Sequence, residues 1–208
     1  MAHLVDGILT APVIVGATLL TAGGVAMGLR RLEADHLPKA ALLGSAFFVA
    51  SLVHVPIGPS SAHLLLNGTI GLLLGWRAFP VILVGILLQA VLFGYGGLTV
   101  AGVNTLVMAG PAVAVHLLLC PWVRRAPPPS YALLGGLAGA GGIALTAASV
   151  GLALALSGRE FLPAAGAVFL AHLPIMVVEA LLAGAVLQLL GTVRPDLIIP
   201  RPGIARGA

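Results

Sequence analysis

The sequence predicts an all-α polytopic integral membrane helix bundle with about seven transmembrane helices, from its composition and the placement of its charges. The 208 residues are 60% hydrophobic and 8% charged, whereas soluble domains carry roughly a quarter charged residues. The mean hydropathy of +1.15 comes from apolar residues spread over the whole chain, which leaves too few polar side chains to cover a globular surface. We therefore expect the lipid bilayer to surround a single transmembrane domain, residues 1–208.

Apolar stretches long enough to cross a bilayer recur along the chain. A helix that spans the hydrocarbon core needs about 20 mostly apolar residues. The predicted spans cover residues 9–29, 40–57, 63–78, 79–95, 98–123, 131–157 and 163–193. The third and fourth are separated only by a short turn that contains Arg77.

The basic residues predict the orientation of these spans. Cytoplasmic loops carry an excess of Lys and Arg. With the N-terminus outside and the C-terminus inside, nine of the ten Lys and Arg residues fall in inner loops or the inner tail, and only Arg159 falls outside. Merging the third and fourth spans would break this pattern. We expect a multi-pass protein of the bacterial inner (cell) membrane, with an outer segment 1–8 and a loose cytoplasmic tail 195–208.

Composition and motifs exclude several function classes. The net charge of +4 does not indicate nucleic-acid binding, because the basic residues are scattered at predicted helix ends and form no basic face. The single cysteine, Cys120, cannot build a disulfide or a cysteine-based metal centre within the chain. The sequence has no phosphate-binding Gly-x-x-x-x-Gly-Lys-Ser/Thr loop, zinc-protease motif or serine-nucleophile elbow. We therefore expect no enzyme, and any uphill transport must take its energy from another chain.

Histidines supply the main candidates for chemistry, because neutral imidazole is the commonest metal ligand. His3 lies beside the chain terminus, where an α-amine, a backbone amide and an imidazole can bind one ion in a plane, and square-planar nitrogen sites favour Cu(II) or Ni(II). No Lys or Arg precedes Arg30, so the basic region of a signal peptide is missing and we expect the terminus to stay attached. His54 and His63 bracket a loop on the same predicted face. The three predict a metal pocket, with hydrogen-bonded packing as the alternative for the loop histidines.

The other histidines lie elsewhere. His36 falls in a basic inner loop, where we expect it to be solvated. His116 and His172 lie within predicted spans, where ionisable groups are candidates for function, and packing is the alternative for His116. Glu179 follows His172 by about 10.5 Å along a helix, and we expect it to find its partner inside the bundle.

Three segments carry a resemblance to a known family. Met1–Leu9 (MAHLVDGIL), residues 58–63 (GPSSAH) and Gln89–Thr105 (QAVLFGYGGLTVAGVNT) resemble the Met-His-Ile/Leu-x-Asp-Gly start, the Gly-Ser-Ser-x-His loop and the Gln-Ala-x-x-Phe to Asn-Thr segment of the CbiM/NikM family. These are the cobalt and nickel substrate-capture components of energy-coupling-factor transporters. His172 and Glu179 are similar to a weaker pattern of that family.

The resemblance implies that Co²⁺ or Ni²⁺ is bound as cargo, with no permanent cofactor. The ligands implied are the terminal amine, the amide nitrogen and imidazole of the next residue's histidine, and the loop histidine, which is His63 here. His3 follows one inserted residue, so removal of Met1 would make Ala2 the terminal residue and supply the amine. If Met1 is retained, the amine, two amides and the His3 imidazole fill a planar site without His63.

Four residues are candidates to support these ligands. We expect Asp6 to orient His3, as carboxylates often do around metal-bound histidine, and Asn104 to brace the terminal segment. His54 is a candidate for support or packing, and Ser61 is a further candidate within the loop.

The resemblance also implies partners. These are a transmembrane coupling subunit, cytoplasmic ATPase subunits and, in some systems, a small accessory membrane subunit, with a link to cobalamin biosynthesis. The main alternative is a haem-binding membrane redox protein that uses His116 and His172 and shows a visible absorption band. An intramembrane enzyme is a second alternative, but no recognised catalytic pair supports it. The residues do not distinguish cobalt from nickel.

Overall fold

The computed structural model describes residues 3–52, 54–57 and 60–198. Within these ranges the chain forms seven α-helices and one two-stranded antiparallel hairpin. The helices are α1 (Ala11–Arg30), α2 (Leu37–Leu52), α3 (Asn67–Leu74), α4 (Ala78–Phe93), α5 (Ala101–Val123), α6 (Tyr131–Ser157) and α7 (Leu162–Val193). The strands, β1 (His54–Ile57) and β2 (Ser60–His63), lie between α2 and α3.

The outer surface of the bundle carries many large apolar side chains. Leu19, Leu118 and Leu181 are 68%, 64% and 70% exposed, which water would disfavour and a bilayer accommodates. Within the described ranges, five segments are long and apolar enough to cross a membrane: Ala11–Arg30, Asn67–Phe93, Ala101–Val123, Pro128–Ser157 and Arg159–Val193. The protein is therefore a multi-pass membrane helix bundle, as its composition predicts.

The second and third predicted spans differ from the observed elements. α2 has 16 residues and α3 has 8, or about 24 and 12 Å at 1.5 Å per residue, against a hydrocarbon core about 30 Å thick. A hairpin occupies residues for which helix was predicted up to 57 and again from 63. Pro56 explains the early end of α2, because proline lacks an N–H and disfavours helix in the residue before it. By length and composition, five segments of the described chain, rather than seven, are candidates to cross the membrane, and one of them, Asn67–Phe93, includes the turn between α3 and α4.

A sharp turn separates α3 from α4. Gly75 has φ 58°, in the left-handed region that glycine adopts without steric cost. The Arg77 guanidinium donates to the carbonyl of Arg31 at 2.6 Å, so the turn lies beside the end of α1. α3 runs alongside α5, with Asn67 near Met108 and Gly75 near His116. α4 then leads back to residues 94–100, where α5 begins, so α3 and α4 run in opposite directions.

Basic residues gather at the end of the bundle where α7 finishes. The Lys39 ammonium donates to the carbonyl of Leu197 at 2.9 Å, and Arg77 lies at the same end. At the opposite end, the backbone N–H of Thr10 donates to the Ser157 hydroxyl at 3.3 Å.

The structure describes only the first four residues of the predicted tail, 195–198. Pro195–Leu197 form a 3₁₀ turn and Ile198 is buried. The hydrogen bond from Lys39 to the carbonyl of Leu197 attaches this turn to α2. Residues 199–208 lie outside the described chain.

α6 and α7 pack backbone against backbone. A Cβ at Gly139 would overlap the carbonyl group of Glu179, and one at Gly135 would overlap that of Ala183. Small residues allow such close approach of helices in lipid. This contact fixes the position of α7, which carries Glu179 towards α3.

Candidate metal site

Two predicted ligands from distant parts of the sequence lie against each other. The His3 and His63 rings are stacked, with centroids 4.9 Å apart and planes inclined by 24°. The two residues are 6% and 2% exposed. The two imidazoles therefore lie side by side in one buried place, where both are candidate ligands of a transition metal ion.

Asn104 holds the terminal segment at this place. Its side-chain oxygen accepts from the N–H of Leu4 at 2.9 Å, and its amide group donates to the carbonyl of Leu4 at 3.0 Å. Asn104 is fully buried, where leaving a polar group unpaired costs about 1–3 kcal/mol. The first turn of α5 thereby fixes the backbone next to His3.

Asp6 joins the terminal segment to the loop before α5. Its carboxylate accepts a hydrogen bond from the Thr99 hydroxyl. Gly97 lies against the same carboxylate, and a side chain at Gly97 would overlap it. Asp6 therefore anchors the segment that leads away from His3, while its predicted role in orienting the His3 ring stays a prediction.

Tyr95 stacks against His3 and was not among the predicted site residues. Its ring centroid lies 6.4 Å from that of His3 and 5.7 Å from that of Phe93. The flanking Gly94 and Gly96 have φ values of 67° and 77°, which glycine adopts readily. A lone aromatic residue between two such glycines is the sequence signal that could have identified it.

The orientation of the His63 ring is set by a backbone carbonyl. His63 Nδ1 lies 3.0 Å from the carbonyl oxygen of Leu64. A carbonyl oxygen only accepts hydrogen bonds, so Nδ1 is the donor here, and in the neutral imidazole with this tautomer the lone pair is on Nε2. Metal-bound histidines commonly donate through their other nitrogen in this way. His63 is thus arranged to bind an ion through Nε2.

Three residues separate helix α3 from β2, which ends at His63. Buried polar side chains hold the start of α3. Asn67 donates to the Thr146 hydroxyl at 2.7 Å. Glu179 accepts from the backbone of Leu65 and Leu66. The sequence predicted a partner for Glu179 inside the bundle, and the structure gives it backbone amides.

Several predicted site residues fall outside the described part of the chain. Met1 and Ala2 do so entirely, as do the side chains of His54 and Ser61. The backbone register of the hairpin places His54 opposite His63. Among the described residues, no cluster of three or more His, Cys, Asp and Glu side chains is present. The described imidazoles at this place are those of His3 and His63, and the predicted amine donor lies outside the described residues.

The remaining histidines lie apart from this pair. His116 packs against Gly75 near the basic end. His172 is buried and its Nδ1 donates to the carbonyl of Val168 at 2.7 Å, within the first third of α7, towards the opposite end. They therefore lie in different halves of the bundle, and the structure does not bring together the two ligands that the haem alternative needs. His36 is half-buried in a 3₁₀ turn between α1 and α2.

A protein family and a relative match this chain over nearly its whole length, and a second relative matches about half of it. A family described as the cobalt uptake substrate-specific transmembrane region, CbiM, matches residues 3–197. A putative metal transport protein of Haemophilus influenzae is 39% identical over 198 residues, which cover 94% of this chain and 96% of that protein. The fused nickel transport protein NikMN of Rhodobacter capsulatus is 40% identical over 121 residues, which cover 54% of this chain and 35% of that protein.

A solved structure shares the fold. The crystal structure of a transition metal transporter superposes with a TM-score of 0.73 at 23% sequence identity, and the match covers 92% of this chain and 93% of that one.

Proposed function

Because the chain belongs to the CbiM family of cobalt uptake transmembrane proteins, we propose that it captures Co²⁺ or Ni²⁺ at the outer face of a bacterial inner membrane. The proposed ligands are the Ala2 amine, the amide nitrogen and imidazole of His3, and the imidazole of His63. Four nitrogen donors of this kind suit a planar site for a late first-row ion.

The stacked His3 and His63 rings carry this proposal. Two imidazoles in van der Waals proximity, both buried, join the terminal segment to the hairpin. The His63 ring also directs its Nδ1 to a carbonyl oxygen, as metal-bound histidines commonly do, and we assign Nε2 as the nitrogen that binds the ion. Asn104 holds the backbone of Leu4, which directly follows the proposed ligand His3.

Energy for uptake comes, in this proposal, from partner subunits. The sequence has no ATP-binding motif, so we assign hydrolysis to cytoplasmic ATPases that act through a transmembrane coupling subunit. Their action would open the bundle and expose the buried ion.

Purified protein exposed to equal concentrations of Co²⁺ and Ni²⁺ is expected to retain about one ion per chain. Ni²⁺ should predominate, because it exceeds Co²⁺ in the Irving–Williams order. Elemental analysis after removal of free metal measures this, and Mg²⁺ at the same concentration is the control that should not be retained. Protein that retains neither ion, or that is purified with a haem absorption band, contradicts the proposed function.

We also propose that the N-terminus lies outside and the C-terminus inside. A fluorescent reporter fused after Ala208 should be bright, since it folds in the cytoplasm, while a periplasmic phosphatase fused there should be inactive. The expectation rests on the basic residues at the end where α7 finishes. An active phosphatase at this position would reverse the orientation.

A further inference from the structure

A buried carboxylate on α7 lies next to the chain segment that follows His63. Glu179 is completely buried. Its Oε1 accepts the backbone N–H of Leu65 at 2.5 Å and that of Leu66 at 2.7 Å. Both amides lie between the end of β2 and the start of α3. They therefore have no partner from a strand ladder or a helix, and the carboxylate satisfies them.

This short connection also contains an unusual backbone conformation. Leu66 has φ 50° and is the only residue other than glycine with a positive φ in the described chain. Side chains disfavour this region, and residues in it persist when their surroundings hold them there. The hydrogen bond from the Leu66 N–H to Glu179 is such a restraint.

The peptide group between Leu64 and Leu65 links Glu179 to His63. Its N–H donates to Glu179 Oε1, and its carbonyl oxygen accepts from His63 Nδ1 at 3.0 Å. The chain of contacts therefore runs from the carboxylate through one peptide group to the imidazole, and ends at Nε2. Successive hydrogen bonds of this kind polarise one another. A carboxylate that accepts from a metal-bound histidine orients the ring and raises its basicity.

We propose that Glu179 is a positioning residue for the metal site, which acts on His63 through the Leu64–Leu65 peptide group. The inference rests on the proposed function, because it assigns His63 as a ligand. Glu179 does not contact the ion in this arrangement. It sets the path of the backbone after His63 and the direction in which Nε2 points. The metal affinity therefore depends on where α7 places Glu179.

The test compares Glu179→Leu with Glu179→Gln. The leucine variant removes the acceptor and should weaken Ni²⁺ binding by about 10–100-fold, the range found when outer partners of metal ligands are lost. The glutamine variant keeps an oxygen that can accept the same hydrogen bonds more weakly than a carboxylate, so its affinity should lie between wild type and Glu179→Leu. The visible absorption band of bound Ni²⁺ should shift in Glu179→Leu, because a reoriented His63 ring changes the ligand field at the ion.

Gln89→Leu is the matched control. Gln89 is also completely buried and joins two helices, through a hydrogen bond to the Ser51 hydroxyl at 2.5 Å. The Gln89→Leu variant should have lower thermal stability than wild type, but the visible absorption band of its bound Ni²⁺ should not shift. Equal metal affinities for Glu179→Leu and Gln89→Leu, or an unchanged band in Glu179→Leu, would overturn the inference.

A double-mutant cycle separates this role from general destabilisation. In a His63→Ala background, Glu179→Leu should cause no further loss of the residual metal affinity, because it acts through His63. An additive loss overturns the inference. If Glu179→Leu does not fold, Glu179→Gln takes its place in the same cycle with the same criterion. Metal binding by wild type and its loss in His63→Ala test the proposed function separately, whatever the Glu179 variants show.

Discussion

His63→Ala is expected to reduce metal binding by more than the 10–100-fold typical of losing an outer partner of a ligand. The substitution removes one of the four proposed nitrogen donors. His63 is 2% exposed, so water does not readily take the place of its ring, and no other described imidazole except that of His3 lies nearby. Titration of purified protein with Ni²⁺ or Co²⁺, followed by calorimetry or by elemental analysis, measures the change.

His36→Ala is the control for this experiment. His36 lies in the turn between α1 and α2, beyond the end of α1, whereas the histidine pair lies near the start of the chain's first helix. The His36→Ala variant should bind metal with the affinity of wild type. Equal occupancy of wild type and His63→Ala would reject the assigned loop ligand, and a similar loss in both variants would indicate general misfolding.

The histidine pair was predictable from the sequence because its signals are local. His3 lies beside the terminus, and His63 closes a proline- and glycine-rich loop, so the two needed only a shared face to be placed together. The charge pattern gave that face, through the asymmetry of Lys and Arg. Asn104 followed from the family resemblance, and its two hydrogen bonds to Leu4 are those of a brace.

The interior of the site was not predictable, because it depends on three-dimensional packing. The apolar run 63–78 predicts a span, yet only Asn67–Leu74 is helical in front of the Gly75 turn. A short apolar strand such as β1 (HVPI) has the same hydropathy as the end of a helix, so hydropathy does not detect the hairpin. The contact of Glu179 with Leu65 and Leu66 joins residues 114 and 113 positions apart, and backbone partners leave no side-chain pattern in the sequence.

Extension of the N-terminus is expected to abolish metal binding at concentrations that saturate the native protein. In the proposed site Ala2 supplies a free amine and the amide nitrogen of His3 follows it directly in the chain. Residues placed before Ala2 convert the amine into an amide, which binds a metal only after a further deprotonation. His3 is 6% exposed and Leu4 is held by Asn104, so the chain that follows the proposed amine has little room to shift around added residues.

Intact-mass measurement should first show that Met1 is absent from the native protein, because a small residue such as Ala2 favours its removal. A short peptide and a protease site are then added before Ala2, so that cleavage leaves Ala2 as the first residue. The uncut protein should bind neither Ni²⁺ nor Co²⁺, and cleavage should restore binding of one ion per chain.

The same peptide after Ala208 is the control and should have no effect, since it lies at the other end of α7. Wild-type affinity in the uncut protein would refute the amine ligand. Retained Met1 with full binding, and no loss in His63→Ala, would instead assign the site to Met1, Ala2 and His3 alone.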